Sequence, residues 1–336
     1  MNRIQELDCF RGLAALAVVL FHYTTRFREL YGHSFSNQWD IQFGHYGVQL
    51  FFIISGFVIF MTIEKAKKPM DFIFQRFTRL YPTYWVCLII SFAIISLAGL
   101  PGREVGIVDF VFNFTMVHKL LRKKSVDGAY WSLLVELLFY AFMFGIFISR
   151  QIKNMEWIGY GWLGLIVLNQ FYKLKFLDLL LNLHWGMLFL AGINFYFLQT
   201  GRGNWRNHLQ ILICLVIAPF AMKDDRPDSL LYKAVITAIF FAVFYLFIYG
   251  KLQWIVSKPL LFLGAISYSF YLLHQNIGYI IILKLKAAGV EQAFILVLVP
   301  LLVSIGLAWI VTEFLEKPAM KALRSWYQGQ SAKSVS

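Results

Sequence analysis

Charged residues and cysteines are both scarce in this chain of 336 residues. Only 15% of the residues are charged, whereas a soluble domain has about a quarter. The three cysteines, which all lie within apolar runs, form neither a metal-ligand pattern nor a disulfide framework. The chain also has no soluble domain, low-complexity linker or clear internal repeat. These absences exclude a soluble globular protein, and no metal is expected.

Long apolar runs make up most of the chain, and 59% of its residues are hydrophobic. Runs of roughly 17–25 residues recur along its length, and each can cross a hydrocarbon core of about 30 Å. Helices satisfy their own backbone hydrogen bonds, which lipid does not do. We therefore predict an all-α fold, a polytopic membrane helical bundle of about ten transmembrane helices. The predicted spans are 7–24, 46–63, 82–98, 130–149, 156–172, 178–198, 207–222, 231–249, 259–283 and 292–314.

The formal net charge of +13 is large for so apolar a chain. In a membrane protein, this excess indicates anionic lipid or a polyanionic ligand rather than nucleic acid. The basic loop 64–81 favours the cytoplasmic side, although loop 99–129, with Arg103 among its charges, is also basic. With ten spans, both termini then lie in the cytoplasm. No small-residue cleavage site follows the first run, so we interpret it as a retained span rather than a signal peptide.

The first span, "LDCFRGLAALAVVLFHY", carries an arginine and a histidine in its apolar run. An ionisable group at the centre of a membrane helix costs about 2.5–3.5 kcal/mol, so such groups indicate function. At 100° per residue, Arg11 and His22 share one helix face, roughly 16 Å apart. This face, which also carries Asp8, can line a cavity. The structural alternative is that Arg11 pairs with Asp8 or reaches the interface while His22 caps the helix end.

A basic pair precedes the third span in "FQRFTRLYPTYW". Arg76 and Arg79 are neighbours on a helix surface, and arginine binds phosphate through bidentate contacts. Lys68 adds charge upstream. The alternative is a positive-inside anchor flanked by aromatic belt residues.

Two later spans also contain polar side chains. Glu136 lies two turns into "YWSLLVELLFYAF" and must face the bundle interior, either as a reactive group or as a structural partner of Arg11 or His22. Three side chains share one face of span 259–283: Ser267, Tyr271 and His274. They either hold helices together or form a polar wall of the same cavity.

These segments together resemble the acyltransferase family 3, multi-span bacterial enzymes that acylate envelope and secreted glycans. The resemblance covers about residues 4–320 and rests on five motifs in order. They are "LDCFRGLAALAVVLFHY", "FFIISGFVIF", "QRFTRLYPTYW", "WSLLVE" and "LGAISYSFYLLH". The matching residues are Arg11, His22, Ser55, Gly56, Phe57, Arg76, Arg79, Pro82, Tyr84, Trp85, Trp131, Ser132, Glu136 and His274.

The resemblance implies one transmembrane acyltransferase domain, 1–320, followed by a short polar tail, 321–336. Many family members carry a fused hydrolase-like domain, and this chain resembles the stand-alone members. The implied activity is transfer of an acyl group, most often acetyl, from acetyl-CoA to a hydroxyl of an envelope or exported glycan. The implied location is the bacterial inner membrane, beside other polysaccharide-assembly proteins. Acetyl-CoA is then a co-substrate, with no permanently bound cofactor.

The resemblance also implies roles for individual residues. His22 is the expected base at the transfer site, with Glu136 orienting its imidazole and Arg11 positioning the donor. We expect Arg76, Arg79 and Lys68, with Arg11, to bind acyl-CoA. The expected substrate cavity comprises Asp8, Ser55, Trp131, Ser132, Ser267, Tyr271 and His274. If an acyl-enzyme intermediate forms, its candidate carriers are Ser132 and Ser267.

A proton-coupled transporter is the main alternative, because buried Arg, His and Glu also suit a carrier. Carriers often show two related halves and helices broken by Gly or Pro. No repeat is visible here, and prolines such as Pro82 and Pro259 lie at span edges. A lipid-embedded scaffold leaves the polar stripe of the first span unexplained.

Overall fold

The computed structural model describes residues 4–223, 226 and 228–333. In these ranges the chain forms α-helices, short 3₁₀ turns and two π-turns, without a β-strand, which confirms the all-α prediction. The helices are α1 Gln5–Phe21, α2 Phe27–Tyr31, α3 Gly47–Ile63, α4 Pro69–Ala98, α5 Ile107–Asn113, α6 Trp131–Ile148, α7 Met155–Tyr172, α8 Lys175–Leu181, α9 Gly186–Gln199, α10 Trp205–Ala221, α11 Leu230–Ile248, α12 Lys258–Ala287, α13 Ala293–Val311 and α14 Lys317–Lys333.

Seven helical stretches in the described ranges are long and apolar enough to cross a membrane. They are Gln5–Tyr31, Asn37–Ile63, Pro69–Ala98, Gly128–Ile148, Lys175–Gln199, Leu230–Ile248 and Ala293–Gly329. The other three predicted spans coincide with α7, α10 and α12. Helix α10 has only 17 residues, whereas α7 and α12 are long enough but more polar. The chain is therefore a multi-pass membrane protein, as predicted.

The chain divides into two compact units, and α1 contributes residues to each. The first unit contains the described residues of Met1–Ala14, Tyr46–Phe72 and Val135–Leu261. Within it α3 packs closely against α9, because glycines remove side chains from the contact. A Cβ atom on Gly56 would lie 2.0 Å from the carbonyl oxygen of Phe189, and one on Gly192 would lie 2.0 Å from that of Ile53. Such small residues let membrane helices approach closely.

The second unit contains the described residues of Ala15–His45, Ile73–Leu134 and Phe262–Ser336. Tyr23, which is fully buried, ties its helices together. Its hydroxyl donates to the carbonyl oxygen of His274 (2.8 Å) and accepts from the hydroxyl of Ser304 (2.7 Å). Gly278 makes room for the ring, since a Cβ atom there would lie 2.1 Å from it.

Both π-turns contribute a polar side chain to the second unit. The first, His22–Arg26, continues α1, and the second, Thr312–Glu316, joins α13 to α14. A π-turn is wider than an α-turn and occurs often at functional sites. Here the two turns carry His22 and Glu316.

The segment after the last span is helical as far as Lys333 and forms most of α14. The ring of Tyr327 stacks on that of Phe74 at 4.1 Å between centroids, which fixes α14 against the beginning of α4. The predicted polar tail therefore begins as an ordered part of the second unit.

Candidate active site

Two histidines from distant parts of the chain meet in the second unit. The Nε2 atom of His274, on α12, lies 3.0 Å from the Nδ1 atom of His22, at the start of the first π-turn. Their ring centroids are 4.8 Å apart. His274 is fully buried, whereas His22 is half-buried. The structure thus brings together two of the residues that the sequence analysis singled out.

The surrounding carbonyl groups define the tautomers of this pair. The Nδ1 atom of His274 lies 2.8 Å from the carbonyl oxygen of Tyr271, so Nδ1 must donate a proton. Neutral His274 then has a lone pair on Nε2, facing Nδ1 of His22. That Nδ1 also lies 2.9 Å from the carbonyl oxygen of Val18 and is therefore protonated. It follows that the lone pair of neutral His22 is on Nε2, where a base requires it.

A buried hydroxyl cluster lies one turn before His274. The hydroxyl oxygens of Ser132 and Tyr271 are 2.8 Å apart, and the Tyr271 hydroxyl donates to the carbonyl oxygen of Ala129 (3.0 Å). Ser267 donates to the carbonyl oxygen of Gly264 within its own helix (2.9 Å). The Ser132–Tyr271 bond joins α6 to α12, which agrees with a structural role. The role of Ser132 or Ser267 as the site of a covalent acyl-enzyme intermediate stays a prediction.

The predicted phosphate ligand Arg79 forms an ion pair with Glu316, in the second π-turn. Glu316 is only 2% exposed and also accepts a hydrogen bond from Ser269 (3.2 Å). The guanidinium of Arg79 additionally lies over the ring of Tyr268 at 5.8 Å. Arg79 is thus held rigidly at the end of α13, and Arg76 lies one turn earlier on α4.

A pocket of about 430 Å³ runs along α14, close in sequence to Glu316. Three basic side chains line it, and they are those of Lys317, Lys321 and Arg324. The sequence analysis did not predict a site on this basic surface, because it treated residues 321–336 only as a short polar tail.

In the first unit, Glu136 is held by two hydroxyl groups. Ser55 on α3 donates to its Oε1 atom at 2.9 Å, and Tyr140, one turn further along α6, donates to the same atom at 2.6 Å. The carboxylate of Glu136, in the motif "WSLLVE", is therefore hydrogen-bonded to Ser55, in the motif "FFIISGFVIF". The predicted role of Glu136 towards His22 stays a prediction.

The remaining predicted residues lie on α1 and near the beginnings of α4 and α6. A guanidinium nitrogen of Arg11 is 3.6 Å from a carboxylate oxygen of Asp8, which is the i,i+3 pair that the structural alternative requires. Lys68 is exposed at the beginning of α4, and Trp131 is half-buried at the beginning of α6. Their predicted roles in binding donor or substrate stay predictions.

Sequence reasoning missed Glu316 and Tyr140, which contact predicted residues. Glu316 follows an apolar span in "TEFLEKP", so it looked like the polar end of a helix. Tyr140 lies four residues after Glu136, a helical neighbour, and that spacing is a signal that was available. The pairing of His22 with His274 had no local signal, because 252 positions separate them.

Residues 4–313 match the family model described as an acyltransferase domain, acyltransferase family 3. Since this match covers most of the chain, the protein belongs to the acyltransferase 3 family. It is therefore a multi-pass membrane member of that family, and the family resemblance predicted from the sequence is confirmed.

Three curated relatives are similar to parts of the chain. Nodulation protein 10 of Rhizobium leguminosarum bv. viciae is 27% identical over 157 residues, 40% of this chain and 42% of the relative. Exopolysaccharide production protein ExoZ of Rhizobium meliloti (strain 1021) is 30% identical over 142 residues, 40% and 41% of the two chains. The chain thus spans about two fifths of these relatives.

The third relative is a putative acetyltransferase, ORF330, of the Acidianus two-tailed virus. It is 24% identical over 286 residues, which cover 81% of this chain and 82% of the relative. No solved structure matches the chain.

Proposed function

We propose that this protein transfers an acetyl group from acetyl-CoA to a hydroxyl of an envelope or exported glycan in the bacterial inner membrane, with both termini in the cytoplasm. The observation that carries this proposal is the His22–His274 pair. It leaves a lone pair on Nε2 of His22, and a neutral imidazole of this kind suits a base that deprotonates a sugar hydroxyl near neutral pH.

In the proposed reaction, the acceptor oxygen attacks the thioester carbonyl carbon of acetyl-CoA while its proton passes to Nε2 of His22. The carbon–sulfur bond then breaks, and the protonated imidazole returns the proton to the CoA thiolate. The products are the sugar acetyl ester and CoA. His274 acts as a positioning residue, because its Nε2 atom accepts a hydrogen bond from the Nδ1–H of His22 and stabilises the charge that develops on the ring.

The basic side chains in the first half of α4 and along α14 support a phosphate-bearing donor. Arg79 is held by Glu316, and Lys321 and Arg324 line the pocket along α14. Guanidinium and ammonium groups of this kind suit the phosphates of CoA. Arg76, Lys68 and Arg11 stay predicted ligands of acyl-CoA.

The names of the relatives support a glycan acceptor and an acetyl donor. One is an exopolysaccharide production protein, and another is a putative acetyltransferase. We assign the acceptor here to the general class of surface or exported glycans.

Analysis of the envelope glycan by mass spectrometry, with and without the gene, tests this function. Deletion should remove an ester-linked acetyl mass, and the wild-type gene should restore it.

His22→Ala, expressed at the wild-type level, should lower the rate of transfer about 10²–10⁴-fold, the contribution of a general base. His208→Ala, a change at an exposed histidine on α10, serves as the matched control. An unchanged acetyl content after deletion would overturn the proposal.

A further inference from the structure

A small polar pocket lies in the second unit between the loop 99–129 and α12. Its volume is about 240 Å³. The side chains that line it carry both charge signs and neutral polar groups, and they include Arg103, Glu104, Lys124, Ser125 and Asn276. Ligand pockets for drug-sized molecules usually measure about 300–1,000 Å³. This pocket is therefore too small for acyl-CoA and suits a single compact polar unit.

The polar wall of the pocket is rigid. Arg103 donates from Nη1 to Oδ1 of Asn276 (3.0 Å), and its guanidinium lies 5.2 Å from the ring centroid of Tyr279. Asn276 in turn donates from Nδ2 to the carbonyl oxygen of Val126 (2.8 Å) and from its backbone N–H to Asp127 (3.0 Å). A guanidinium has five N–H donors, so further donors remain for a ligand in a preorganised position.

A buried hydrogen-bond acceptor lies behind Gly128, at the edge of this pocket. The side-chain oxygen Oε1 of Gln275 has no hydrogen-bond partner among the described residues, although Gln275 is only 3% exposed. Leaving such an atom unsatisfied costs about 1–3 kcal/mol. It lies against Gly128, a lining residue of the pocket. The point where a Cβ atom of residue 128 would stand is 2.8 Å from this oxygen and 3.1 Å from Nη1 of Arg103.

An acceptor and a charged donor thus lie close together beside Gly128, where only a residue without a side chain fits. A group that both donates and accepts hydrogen bonds fits this arrangement, and a sugar hydroxyl does both. Neighbouring hydroxyls of the same ring can then meet Lys124, Ser125 and Glu104. The chemistry of the pocket therefore matches a polyhydroxylated ring better than an apolar or purely anionic group.

The pocket adjoins the proposed transfer site. The ring of Tyr279 is a neighbour of both, with its centroid 5.2 Å from the Arg103 guanidinium and 6.4 Å from the centroid of the His22 ring. A ligand held by Arg103 is thus one aromatic ring away from the base.

We propose that this pocket, defined by Arg103, Asn276 and Gly128, is the acceptor subsite and binds one monosaccharide unit of the glycan. The inference rests on the proposed transferase function and adds the location at which the acceptor is recognised. Arg103 and Asn276 are then binding residues for the acceptor and have no part in binding the donor.

The test compares acceptor and donor kinetics in Arg103→Gln. The purified protein, in detergent, is given acetyl-CoA and the polysaccharide isolated from the gene-deleted host. The KM for polysaccharide should rise about tenfold or more, as expected for loss of a hydrogen bond from a charged group. The KM for acetyl-CoA should stay unchanged. Lys124→Gln changes an exposed side chain that lines the pocket. It should also raise the KM for polysaccharide, without disturbing the Arg103–Asn276 hydrogen bond.

Arg122→Gln is the matched control, since it removes the same charge from an exposed position of the same loop. It should leave both KM values unchanged. Direct binding of the same polysaccharide, measured by tryptophan fluorescence, separates the two proposals. If the wild type transfers acetyl but Arg103→Gln and Lys124→Gln bind polysaccharide normally, the subsite is wrong. If the wild type binds polysaccharide through Arg103 without acetylating it, the subsite stands and the transferase proposal fails.

Discussion

The Nδ1 atom of His22 has two neighbours that can both accept a hydrogen bond from it. One is the carbonyl oxygen of Val18, and the other is the lone pair of His274. A carbonyl alone would orient the ring, but only the second imidazole can follow a change in charge. When His22 takes up a proton on Nε2, His274 becomes the acceptor of a stronger, charge-assisted hydrogen bond. The pair is therefore matched to a step in which positive charge appears and disappears on His22.

Replacing His274 should slow transfer without abolishing substrate binding. We expect His274→Ala to lower kcat about 10–100-fold, because His22 then loses the acceptor that stabilises the positive charge on its ring, while the KM for acetyl-CoA is retained. His274→Gln should recover part of the rate, since the amide oxygen of glutamine can accept the hydrogen bond from the Nδ1–H of His22. The pH profile of kcat, measured for the three proteins, should show the acidic limb displaced in the alanine variant. Equal rates and identical profiles in all three would contradict the positioning role.

At the scale of the element, Gly278 controls how closely α12 approaches the first π-turn. Tyr23 fills the space above this glycine and anchors the backbone of His274 through its hydroxyl. The histidine pair therefore depends on a packing contact one turn away from it. Small residues of this kind determine helix spacing in membranes, where hydrophobicity does not distinguish a helix from lipid.

Gly278→Ala should destabilise the protein and reduce its activity together. The new Cβ atom would lie 2.1–2.5 Å from atoms of the Tyr23 ring, and overpacking of this kind typically costs about 1–3 kcal/mol. The displaced ring would also shift His274. Gly306→Ala on α13 is the matched control, because a Cβ atom there meets nothing within 4 Å. The thermal midpoint and the transfer rate should fall for the first variant only; equal midpoints would show that α12 can move away freely.

At the scale of the whole molecule, acidification should destabilise the fold. Burial lowers the pKa of His33 and of His118 to about 4, whereas an unfolded histidine titrates near 6.5. As pH falls from about 6.5 towards 4, the unfolded chain binds protons that the fold excludes, so the free energy of unfolding decreases. Burial raises the pKa of Asp127 to about 6, which opposes this trend below pH 6. The free energy of unfolding still decreases, because the contribution of two imidazoles is larger than that of one carboxyl group.

The thermal midpoint, measured in detergent at pH 7 and pH 5, tests this expectation. We expect a lower midpoint at pH 5 in the wild type and a smaller difference in His118→Gln. Between pH 6.5 and 5 a single imidazole of this kind accounts for about 2 kcal/mol at most. His208→Gln, at an exposed position, should keep the wild-type difference. If His118→Gln keeps it as well, His118 does not contribute to acid sensitivity.

The helices were predictable because each apolar run in lipid must satisfy its own backbone. Even α12 was found, although its buried Ser267, Tyr271 and His274 make it too polar for a hydropathy criterion. The family motifs pointed to His22 and to Glu136. The contacts of the site were not predictable, because His22–His274, Arg79–Glu316 and Arg103–Asn276 each join residues more than 170 positions apart. Arg103 entered the sequence analysis only as one charge in a basic loop.

The π-turn at His22–Arg26 also matters for comparing this chain with its relatives. A π-turn contains one residue more than an α-turn, so a relative that lacks one residue there would continue in ordinary α-winding. Because the wider winding takes up the extra residue within about one turn, the side chains after it would keep the faces that they have here, and the interval from Arg11 to His22 would be unaffected. A relative of equal length without the π-turn would instead show Phe27 and the residues after it rotated by about 100°. A one-residue gap in an alignment at this place would therefore mark the loss of the π-turn with the helix faces conserved. It would not mark a shorter loop.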